Sequence, residues 1–324
     1  MLRTRLGRLR ALLSGLLLLL CTGAFAQAYP SGPITMVVPY PPGNSTDLLC
    51  RIVMKGLSER LNQPVIVSNR AGAGGTIGSK FVQTSAPNGY TIGLIASGHA
   101  VQPWLDKAMP FDVRKDFTFL NLIYVGQYLL LVPSTVPARN FSEFVSFARA
   151  NPSKMFFGSS GQGTTTHLGG ELIKQVARFE MTHIPYKGST EVLQAAMSGD
   201  IQAYLDLLGT AEPHIKSGKL RAIATLGPKR RPNLPDLPAL AETYPGMEVQ
   251  AWTVLVAPPG LPRDITDKLV GELSQVFANP DVRQKFTELG VDPGGLAGPE
   301  LAKFVSSEYD RWGKVITLAG LKPQ

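Results

Sequence analysis

Residues 33–61 read PITMVVPYPPGNSTDLLCRIVMKGLSERL, a strand, a rigid turn and a helix in immediate succession. The apolar, β-branched run Ile34–Val38 predicts a buried parallel strand. Prolines and Gly43 then exclude a helix for several residues, and Asn44–Thr46 offers three helix-capping side chains. Apolar residues at helical spacing follow as far as Leu61. We therefore expect this turn to place the N-terminus of a helix at the carboxyl edge of a sheet.

The beginning of that helix predicts an anion site. Its first backbone N–H groups lack partners within the helix, and the end carries roughly half a positive charge. Such an end readily binds a carboxylate or a phosphate. A plain strand–helix connection with a good cap explains the same residues, and this stretch alone does not separate the two interpretations.

The first 26 residues have the pattern of a secretory signal peptide. Four arginines precede the apolar run Ala11–Cys21, and the Ala-Phe-Ala sequence at 24–26 supplies the small residues that signal peptidase needs. The apolar run is shorter than the about 20 residues of a membrane span. A lipoprotein signal needs a small residue where Leu20 stands. We expect export of the protein and cleavage near Ala26.

Length, charge and cysteine content narrow the function classes. A chain of 324 residues suggests two lobes. The formal net charge is +8, and the signal contributes four arginines and no acid, so the mature chain carries +4. The sequence has no basic run or aromatic ladder suited to nucleic acid, and its mild positive charge suits an anionic solute. Once Cys21 leaves with the signal, Cys50 cannot form an internal disulfide and is expected to be buried.

The order of apolar runs predicts two α/β lobes. Strands and helices alternate through residue 125 and again through residues 126–227, which predicts parallel strands with crossover helices. Irregular chain is predicted at Pro103–Asp116. A strand at Gln250–Ala257 and the last helix, Glu300–Ala319, are expected to return to the first lobe. That lobe then comprises residues 29–125 and 228–324, with hinge crossings near Gly126 and Gly227.

A second turn of similar composition lies in the second lobe. Gly158–Thr166 follows a short strand, is rich in glycine and hydroxyl side chains, and opens a helix. Like Gly43–Asp47, it contains no Lys or Arg. If the two turns face each other across a cleft, their backbone N–H groups and neutral hydroxyls can hold a carboxylate. Such a site leaves no unmatched buried charge after it has released its anion.

Other chemistries fit the sequence poorly. The loop Gly72–Gly78 misses the G-x-G-x-x-G spacing of dinucleotide sites, and no acidic residue follows about 20 positions on. The loop that begins at Gly158 is neither a P-loop nor a G-x-S-x-G elbow. The histidines lack metal-binding spacing, so no metal and no cofactor is expected. A secreted serine hydrolase is the alternative from another class, since serines, histidines and aspartates are all present.

Three residues keep two interpretations each. His167, in the first turn of the second special helix, is either a capping or surface residue or a cleft residue. Asp206 follows a strand at the edge where open α/β sheets bind ligands, or it is a solvated carboxylate at the end of a strand. Trp252 is expected in the core rather than against a ligand.

Several blocks of the sequence resemble one protein family, in the same order. They are YPSGPITMVVPYPPGNSTD, NRAGAGGTIGSK, PNGYTIGL, FGSSGQGTTTHLGGEL, HIPYKGS, LPDLPALAE and RWGKVI. From about Tyr29 to Lys322 the chain resembles the tripartite tricarboxylate transporter substrate-binding proteins, called the Bug family. The resemblance implies a two-lobed periplasmic-binding-protein fold of type II, with a mostly parallel sheet flanked by helices in each lobe. The lobes of such proteins close over the ligand.

The resemblance also implies a function without catalysis. Members capture a small carboxylate or related solute in the periplasm and deliver it to the membrane permease subunits of a tripartite tricarboxylate transporter. Some members present their ligand to a sensor kinase instead, which is a further alternative here. We expect a monomer that has no nucleic-acid partner.

The ligand pocket of the family maps onto fifteen positions of this chain, where one ligand carboxylate is expected between the two turns. These positions are Tyr40, Pro42, Gly43, Asn44, Ser45, Thr46, Asp47, Ser97, His99, Ser159, Ser160, Thr164, Thr165, His167 and Asp206. Asn44 stands where the family usually has glycine, which predicts a narrower pocket or an added amide contact. After Asp206, the run Leu207–Gly209 replaces a common Asn-Leu-Pro, which predicts a more apolar far wall.

Overall fold

A computed structural model describes residues 29–318 of the protein. The expected signal peptide, residues 1–26, lies outside the described residues, as do Ala319 and the chain that follows it. Within the described part, no helix combines the length and the apolar character needed to cross a membrane.

Short apolar runs and amphipathic stripes form strands and helices in alternation. The strands are β1 (Ile34–Val38), β2 (Val65–Asn69), β3 (Thr91–Ala96), β4 (Thr118–Gln127), β5 (Leu129–Pro133), β6 (Phe156–Ser159), β7 (Thr182–Pro185), β8 (Ala203–Asp206), β9 (Leu220–Thr225), β10 (Gln250–Ala257) and β11 (Val291–Pro293). The α-helices are α1 (Ser45–Leu61), α2 (Thr76–Gln83), α3 (Ser97–Leu105), α4 (Phe141–Ala150), α5 (Thr165–Ala177), α6 (Ser189–Ser198), α7 (Leu208–Lys216), α8 (Arg263–Ala278), α9 (Pro280–Glu288) and α10 (Gly298–Leu318).

The strands form two sheets, one in each lobe. The first sheet has the order β11-β4-β10-β3-β1-β2, and the second has the order β7-β6-β8-β5-β9. In the first sheet β1 runs parallel to β2 and β3, whereas β10 runs antiparallel to β3 and β4. In the second sheet β6 runs parallel to β7 and β8, whereas β5 runs antiparallel to β8 and β9. The strand at Gln250–Ala257 thus lies in the first sheet, as the sequence predicts.

The two-lobed α/β fold is confirmed, but each sheet is mixed rather than mostly parallel. Two neighbouring parallel strands need a long crossover connection, usually a helix. β5 follows β4 after a single intervening residue, and β10 returns from the second lobe without a crossover helix. These strands beside the crossings pair antiparallel with their neighbours. The parallel half of each sheet is the half that carries the two special turns.

The chain passes between the sheets at two adjacent points. Leu226 N–H donates to the Tyr128 carbonyl oxygen at 2.8 Å, and Val249 N–H donates to the Leu226 carbonyl oxygen at 2.8 Å. Gly227 lies directly against Gln127, and any side chain there would collide with it. The lobe boundaries near residues 126 and 227 stay a prediction.

Two elements lie where the sequence predicts none. α3 occupies Ser97–Leu105 and carries Pro103 inside it, although the chain from Pro103 was expected to be irregular. Proline removes a helical hydrogen bond, so it obscures a helix of only nine residues in the sequence pattern. β11 has three residues, too few to show a period.

The helices cover the first sheet and bury the single thiol of this part of the chain. The apolar spacing of the sequence predicts α10. Its buried face consists of Leu301, Val305, Trp312 and Ile316. Cys50 is the one free cysteine between residues 29 and 318, and it is fully buried on α1, as expected. Burial raises the pKa of the Cys50 thiol far above its ordinary value.

Candidate functional site

Four helices begin around one small cavity between the lobes, which we call the inner cavity. Its volume is about 60 Å³. α1 and α3 come from the first lobe, and α5 and α6 come from the second. The lining residues are Tyr40, Asn44, Thr46, Gly74, Ala96, Ser97, Gly98, Tyr124, Tyr128, Ser160, Thr164, Thr165, Gly188, Ser189, Ala251 and Trp252. Each helix therefore directs the positive end of its dipole toward the same space.

The first special turn is held by the carboxylate of Asp47. Asn44 caps α1, because its side-chain oxygen accepts from Asp47 N–H at 2.8 Å. In return, Gly43 N–H donates to the Asp47 carboxylate at 3.0 Å. Asn69 Nδ2 and Arg51 Nε also donate to it, at 2.8 and 3.0 Å. Burial alone would raise the pKa of Asp47, but these donors outweigh it and hold the pKa below the ordinary value.

The second special turn is held by neutral groups. Thr164 caps α5 and accepts from His167 N–H. Ser160 N–H donates to the Thr166 hydroxyl at 3.1 Å, and that hydroxyl also lies 3.1 Å from the Thr164 hydroxyl. Gly163 N–H donates to Nδ1 of His167 at 3.2 Å, which requires that nitrogen to be unprotonated. The two turns thus share a composition but are stabilised by different chemistry.

Hydroxyl groups near the helix starts join the two lobes directly. Thr165 Oγ1 donates to Ser97 Oγ at 2.8 Å, which links the start of α5 to the start of α3. The Ser45 hydroxyl bonds the Thr210 hydroxyl of α7. Close to the second of these contacts, Gly209 N–H donates to the carbonyl oxygen of Leu289 at 3.1 Å. The inner cavity is therefore enclosed by contacts between the lobes.

The lining of the inner cavity carries no formal charge among the described residues: it contains no Lys, Arg, His, Asp or Glu. Three phenols stand in its wall, and burial raises the pKa of Tyr40, Tyr124 and Tyr128, so all three remain protonated donors. The hydroxyl of Tyr124 lies 2.9 Å from the Thr46 hydroxyl. A neutral wall of donors at four helix N-termini can hold an anion without a cationic side chain.

Asp206, behind this wall, is a buried carboxyl that has one donor. Its Oδ1 accepts from Leu207 N–H at 2.8 Å, whereas Oδ2 has no hydrogen-bond partner among the described residues. Burial raises the pKa of Asp206 to about 7. Its negative charge contributes to the raised pKa of Tyr124 and Tyr128, two residues of the cavity wall.

A larger opening, which we call the outer groove, lies beside the inner cavity and has a volume of about 1050 Å³. It runs between Gly72–Pro110 of the first lobe and Ser160–Glu191 of the second, and not every residue in these ranges lines it. Gly74 and Ser160 line both spaces. The glycine-rich loop is thus part of the site region through residues 72–74, although no function is expected for it from its sequence pattern.

The structure brings a serine and two histidines together, with Ser159 and His167 buried and His183 half-buried. Ser159 Oγ lies 2.7 Å from Nε2 of His183, and the His183 ring stacks on His167 with 3.9 Å between centroids. Ser159 is 1% exposed, and no carboxylate hydrogen-bonds His183 within residues 29–318. Burial lowers the pKa of His167 to about 4 and that of His183 to about 3. The pair therefore stays neutral near pH 7 and lacks the third group of a triad.

Residues 29–318 contain no cluster of three or more His, Cys, Asp or Glu side chains that could hold a metal ion.

The structure divides the fifteen predicted positions into three groups. Those that line the inner cavity are Tyr40, Asn44, Thr46, Ser97, Ser160, Thr164 and Thr165. His167 lines the outer groove, as Ser160 also does. Those that line neither space are Pro42, Gly43, Ser45, Asp47, His99, Ser159 and Asp206. Which of them touch a ligand stays a prediction.

Several of the residues outside both spaces have other contacts. His99 is fully buried, where its Nδ1 accepts from Ala96 N–H at 3.0 Å and its Nε2 lies 3.1 Å from Ser79 Oγ. Leu207 and Leu208 are buried against neighbouring chain and do not line the inner cavity, so the expected apolar far wall is not formed by them.

Sequence reasoning missed Tyr124, Tyr128 and the start of α6 at Gly188–Ser189. Trp252 was expected only in the core. It is 1% exposed, as a core residue, and it also forms part of the cavity wall. The apolar runs around the two tyrosines predict strands, and nothing local shows which face of a strand meets a cavity. The cap at Gly188 carries no side chain that could signal it.

The comparisons with known proteins give one consistent family. Residues 49–321 match the family model described as the tripartite tricarboxylate transporter family receptor. A UPF0065 protein encoded in the tcbD-tcbE intergenic region of Pseudomonas sp. strain P51 is 35% identical, over 95% of this chain and 93% of its own. The protein BugT of Bordetella pertussis is 31% identical over 92% of each chain.

Two relatives of the same fold have been solved in the presence of a carboxylate. The R. palustris protein Rpa4515, solved with adipate, is 33% identical with a TM-score of 0.88, covering 91% of this chain and all of its own. MatC from Rhodopseudomonas palustris, solved with bound malate, is 31% identical with a TM-score of 0.82, covering 89% of this chain and all of its own.

Proposed function

Because the chain belongs to the tripartite tricarboxylate transporter receptor family, we propose that it captures a small carboxylate in the inner cavity and delivers it to a membrane transporter. This family is one of solute-binding receptors and not of enzymes. Its solved relatives include periplasmic binding proteins. We propose that this chain is exported to the periplasm, loses its signal peptide by cleavage near Ala26, and acts there as a monomer.

The convergence of four helix N-termini on one uncharged cavity carries the proposal. Each N-terminus contributes backbone N–H groups and a partial positive charge. Hydroxyls and phenols supply the remaining donors, and none of them becomes an unpaired charge when the anion leaves. Adipate and malate in two relatives are anions of the class that such a cavity accepts.

Two finer parts of the proposal concern the partner. The family supports membrane permease subunits of a tripartite tricarboxylate transporter as the receiving partner. Presentation of the ligand to a sensor kinase uses the same binding step and is the second candidate for the partner. Uptake of a labelled ligand, in cells with and without this protein, distinguishes transport from sensing.

Thermal unfolding with matched compounds tests the binding step. A ligand that binds only the folded protein raises the melting temperature, and a concentration of 100 Kd adds about 2.7 kcal/mol. We expect malate, adipate or hexanoate to raise it, and uncharged 1,6-hexanediol to leave it unchanged. An equal response to hexanediol, or no response to any carboxylate, contradicts the proposal.

A pair of variants locates the site. Thr165→Val removes a hydroxyl of the inner cavity while keeping its shape, and we expect it to weaken carboxylate binding at least about fivefold. Thr84→Val makes the same change at an exposed threonine directly after α2 and serves as the control. Equal affinities in the two variants would place the ligand elsewhere.

A further inference from the structure

The inner cavity is much smaller than an ordinary small-molecule site. It measures about 60 Å³, whereas small-molecule pockets usually measure roughly 300–1,000 Å³. The outer groove, at about 1050 Å³, reaches that size. A carboxylate group fits the inner cavity, and the outer groove offers the room for a longer remainder of a ligand.

The two spaces meet where both lobes contribute backbone and neutral side chains. Gly74 and Ser160 line both of them. Gln102 stands beside this junction, where it accepts from Thr76 Oγ1 at 2.7 Å and donates to the Ala73 carbonyl oxygen at 3.3 Å. Its side-chain amide lies so close to Gly74 that a larger residue at that position would require Gln102 to move. The residues named at this junction are therefore uncharged.

The outer groove combines apolar side chains with an excess of negative charge. Leu105, Met109 and Tyr186 are half-buried in its wall. Its lining includes three acids and one lysine: the acids are Asp106, Glu171 and Glu191, and the lysine is Lys187.

Two contacts adjust this balance, and they leave two acids, Asp106 and Glu191, against the single lysine of the lining. Lys174 neutralises Glu171 across 2.9 Å, and Lys187 is exposed next to Glu191, which accepts from the Lys187 backbone N–H at 3.0 Å. His167 adds no positive charge near pH 7, because burial lowers its pKa to about 4. The groove thus suits an apolar or cationic chain end and disfavours a second carboxylate.

We propose that the ligand is an amphipathic monocarboxylate, whose carboxylate lies in the inner cavity and whose uncharged or cationic chain extends past Gly74 into the outer groove. This inference rests on the proposed function and names the substrate class for the same site. It separates this chain from the two relatives solved with dicarboxylates. It also gives the glycine-rich loop a role as the wall of the passage.

Calorimetric titration of the mature protein with a matched ligand series tests this inference. Hexanoate, adipate and 6-aminohexanoate share six carbons and differ at the far end, and propanoate lacks the chain that reaches the groove. We expect affinity to rise about twofold to fourfold for each methylene from propanoate to hexanoate. We expect adipate to bind at least about tenfold more weakly than hexanoate, with 6-aminohexanoate close to hexanoate.

A charge-reversal variant tests the groove itself. Glu191→Lys places a cation in the groove lining, so the preference for hexanoate over adipate should fall about threefold or more. Glu59→Lys makes the same charge change on the exposed end of α1, away from both spaces, and should leave the preference unchanged.

If adipate or propanoate binds as tightly as hexanoate, the proposed substrate class is wrong, but the proposed carboxylate binding still holds. An unchanged preference in Glu191→Lys overturns the role of the groove. Failure of every carboxylate, malate included, overturns the proposed function and this inference together.

Discussion

Asp47 at the first turn and Asp206 at the end of β8 are both almost fully buried, at 2% and 4% exposed. Their surroundings nevertheless shift the pKa in opposite directions. Arg51, Asn69 and the Gly43 backbone donate to Asp47, and these donors together hold its pKa below the ordinary value. Asp206 has a single donor, and burial raises its pKa to about 7.

The difference shows that burial alone does not decide what a buried carboxylate does. Desolvation disfavours the charged form at both positions. Where enough donors compensate for it, as at Asp47, the carboxylate organises a turn. Where they do not, as at Asp206, the protein holds a carboxyl group that prefers to keep its proton.

The largest expected effect is a change in pH dependence at Asp206. Between about pH 4 and pH 7 the folded protein keeps a proton that the unfolded chain releases. Raising the pH through this window should therefore lower the free energy of unfolding, by up to about 4 kcal/mol. Asp206→Asn removes this loss and should be more stable than the natural protein at pH 8 by up to about the same amount.

Urea unfolding at pH 5 and pH 8 measures the difference between the two proteins. The control Asp236→Asn, at an exposed aspartate, should follow the natural protein at both pH values. Parallel pH profiles for the natural protein and Asp206→Asn would show that Asp206 ionises normally.

Asp47→Asn should change stability in the opposite direction from Asp206→Asn and lower the free energy of unfolding. It replaces an acceptor of three donors, two of them neutral N–H groups, by an amide that accepts through one oxygen only. We expect a loss of about 3 kcal/mol at pH 7. Because the pKa of Asp47 is lowered, its contribution is complete above about pH 4 and disappears only below it.

Denaturant unfolding at pH 7 checks the Asp47 prediction. The exposed Asp264, also in the first turn of a helix, provides the control, and Asp264→Asn should change stability by less than about 0.5 kcal/mol. A loss in Asp47→Asn as small as this would mean that Asn44 alone holds the first turn.

Part of this contrast is readable from the sequence. The strand β1, the turn and α1 follow from local pattern, as do the composition of both turns and the apolar face of α10. Local chemistry also offers capping side chains at Asn44–Thr46, and Asn44 is the one that caps α1. The seven inner-cavity positions that the sequence named all belong to helix starts or to the chain next to them.

The remainder depends on long-range placement. Tyr124 and Tyr128 reach the cavity because β4 and the crossing pass beside it, and no local signal encodes that. The lack of donors around Asp206 is a property of neighbours distant in sequence. Leu207 and Leu208 illustrate the same limit, because an apolar run predicts burial without saying what it is buried against.

The two stacked histidines should make the second turn sensitive to acid. The pKa values of His167 and His183 are lowered in the folded protein. Below about pH 6.5 the unfolded chain therefore binds protons that the folded protein does not bind. The free energy of unfolding should fall as the pH drops from 6.5 to 4.5, by about 2 kcal/mol more than in His183→Gln, after allowance for solvent screening. This contribution has the opposite sign to that of Asp206 in the same lobe.

Chemical denaturation of both proteins at the two pH values isolates the His183 contribution. An identical loss in His183→Gln would show that the ring pair titrates normally. His214→Gln, at a histidine for which no stacking partner is seen within residues 29–318, is the matched control.

The smallest effects concern the caps themselves. Asn44→Ala and Thr164→Ala each remove one N-cap side chain, and each should cost about 1 kcal/mol. Comparing the two stability losses shows whether the Asp47 carboxylate already supports the first turn. Thermal and denaturant unfolding measure the two costs, and a markedly smaller cost for Asn44→Ala would make Asp47 the main support.

The burial of Cys50 makes its thiol a natural probe of opening of the first lobe. Its sulfur is fully buried on the inner face of α1 and its thiol resists deprotonation, so a thiol-specific dye can react only when the first lobe opens. After signal removal there is no competing sulfhydryl in the chain. With the dye in excess the labelling rate measures how often the lobe opens, and with little dye it measures how much of the protein is open, without any engineered reporter.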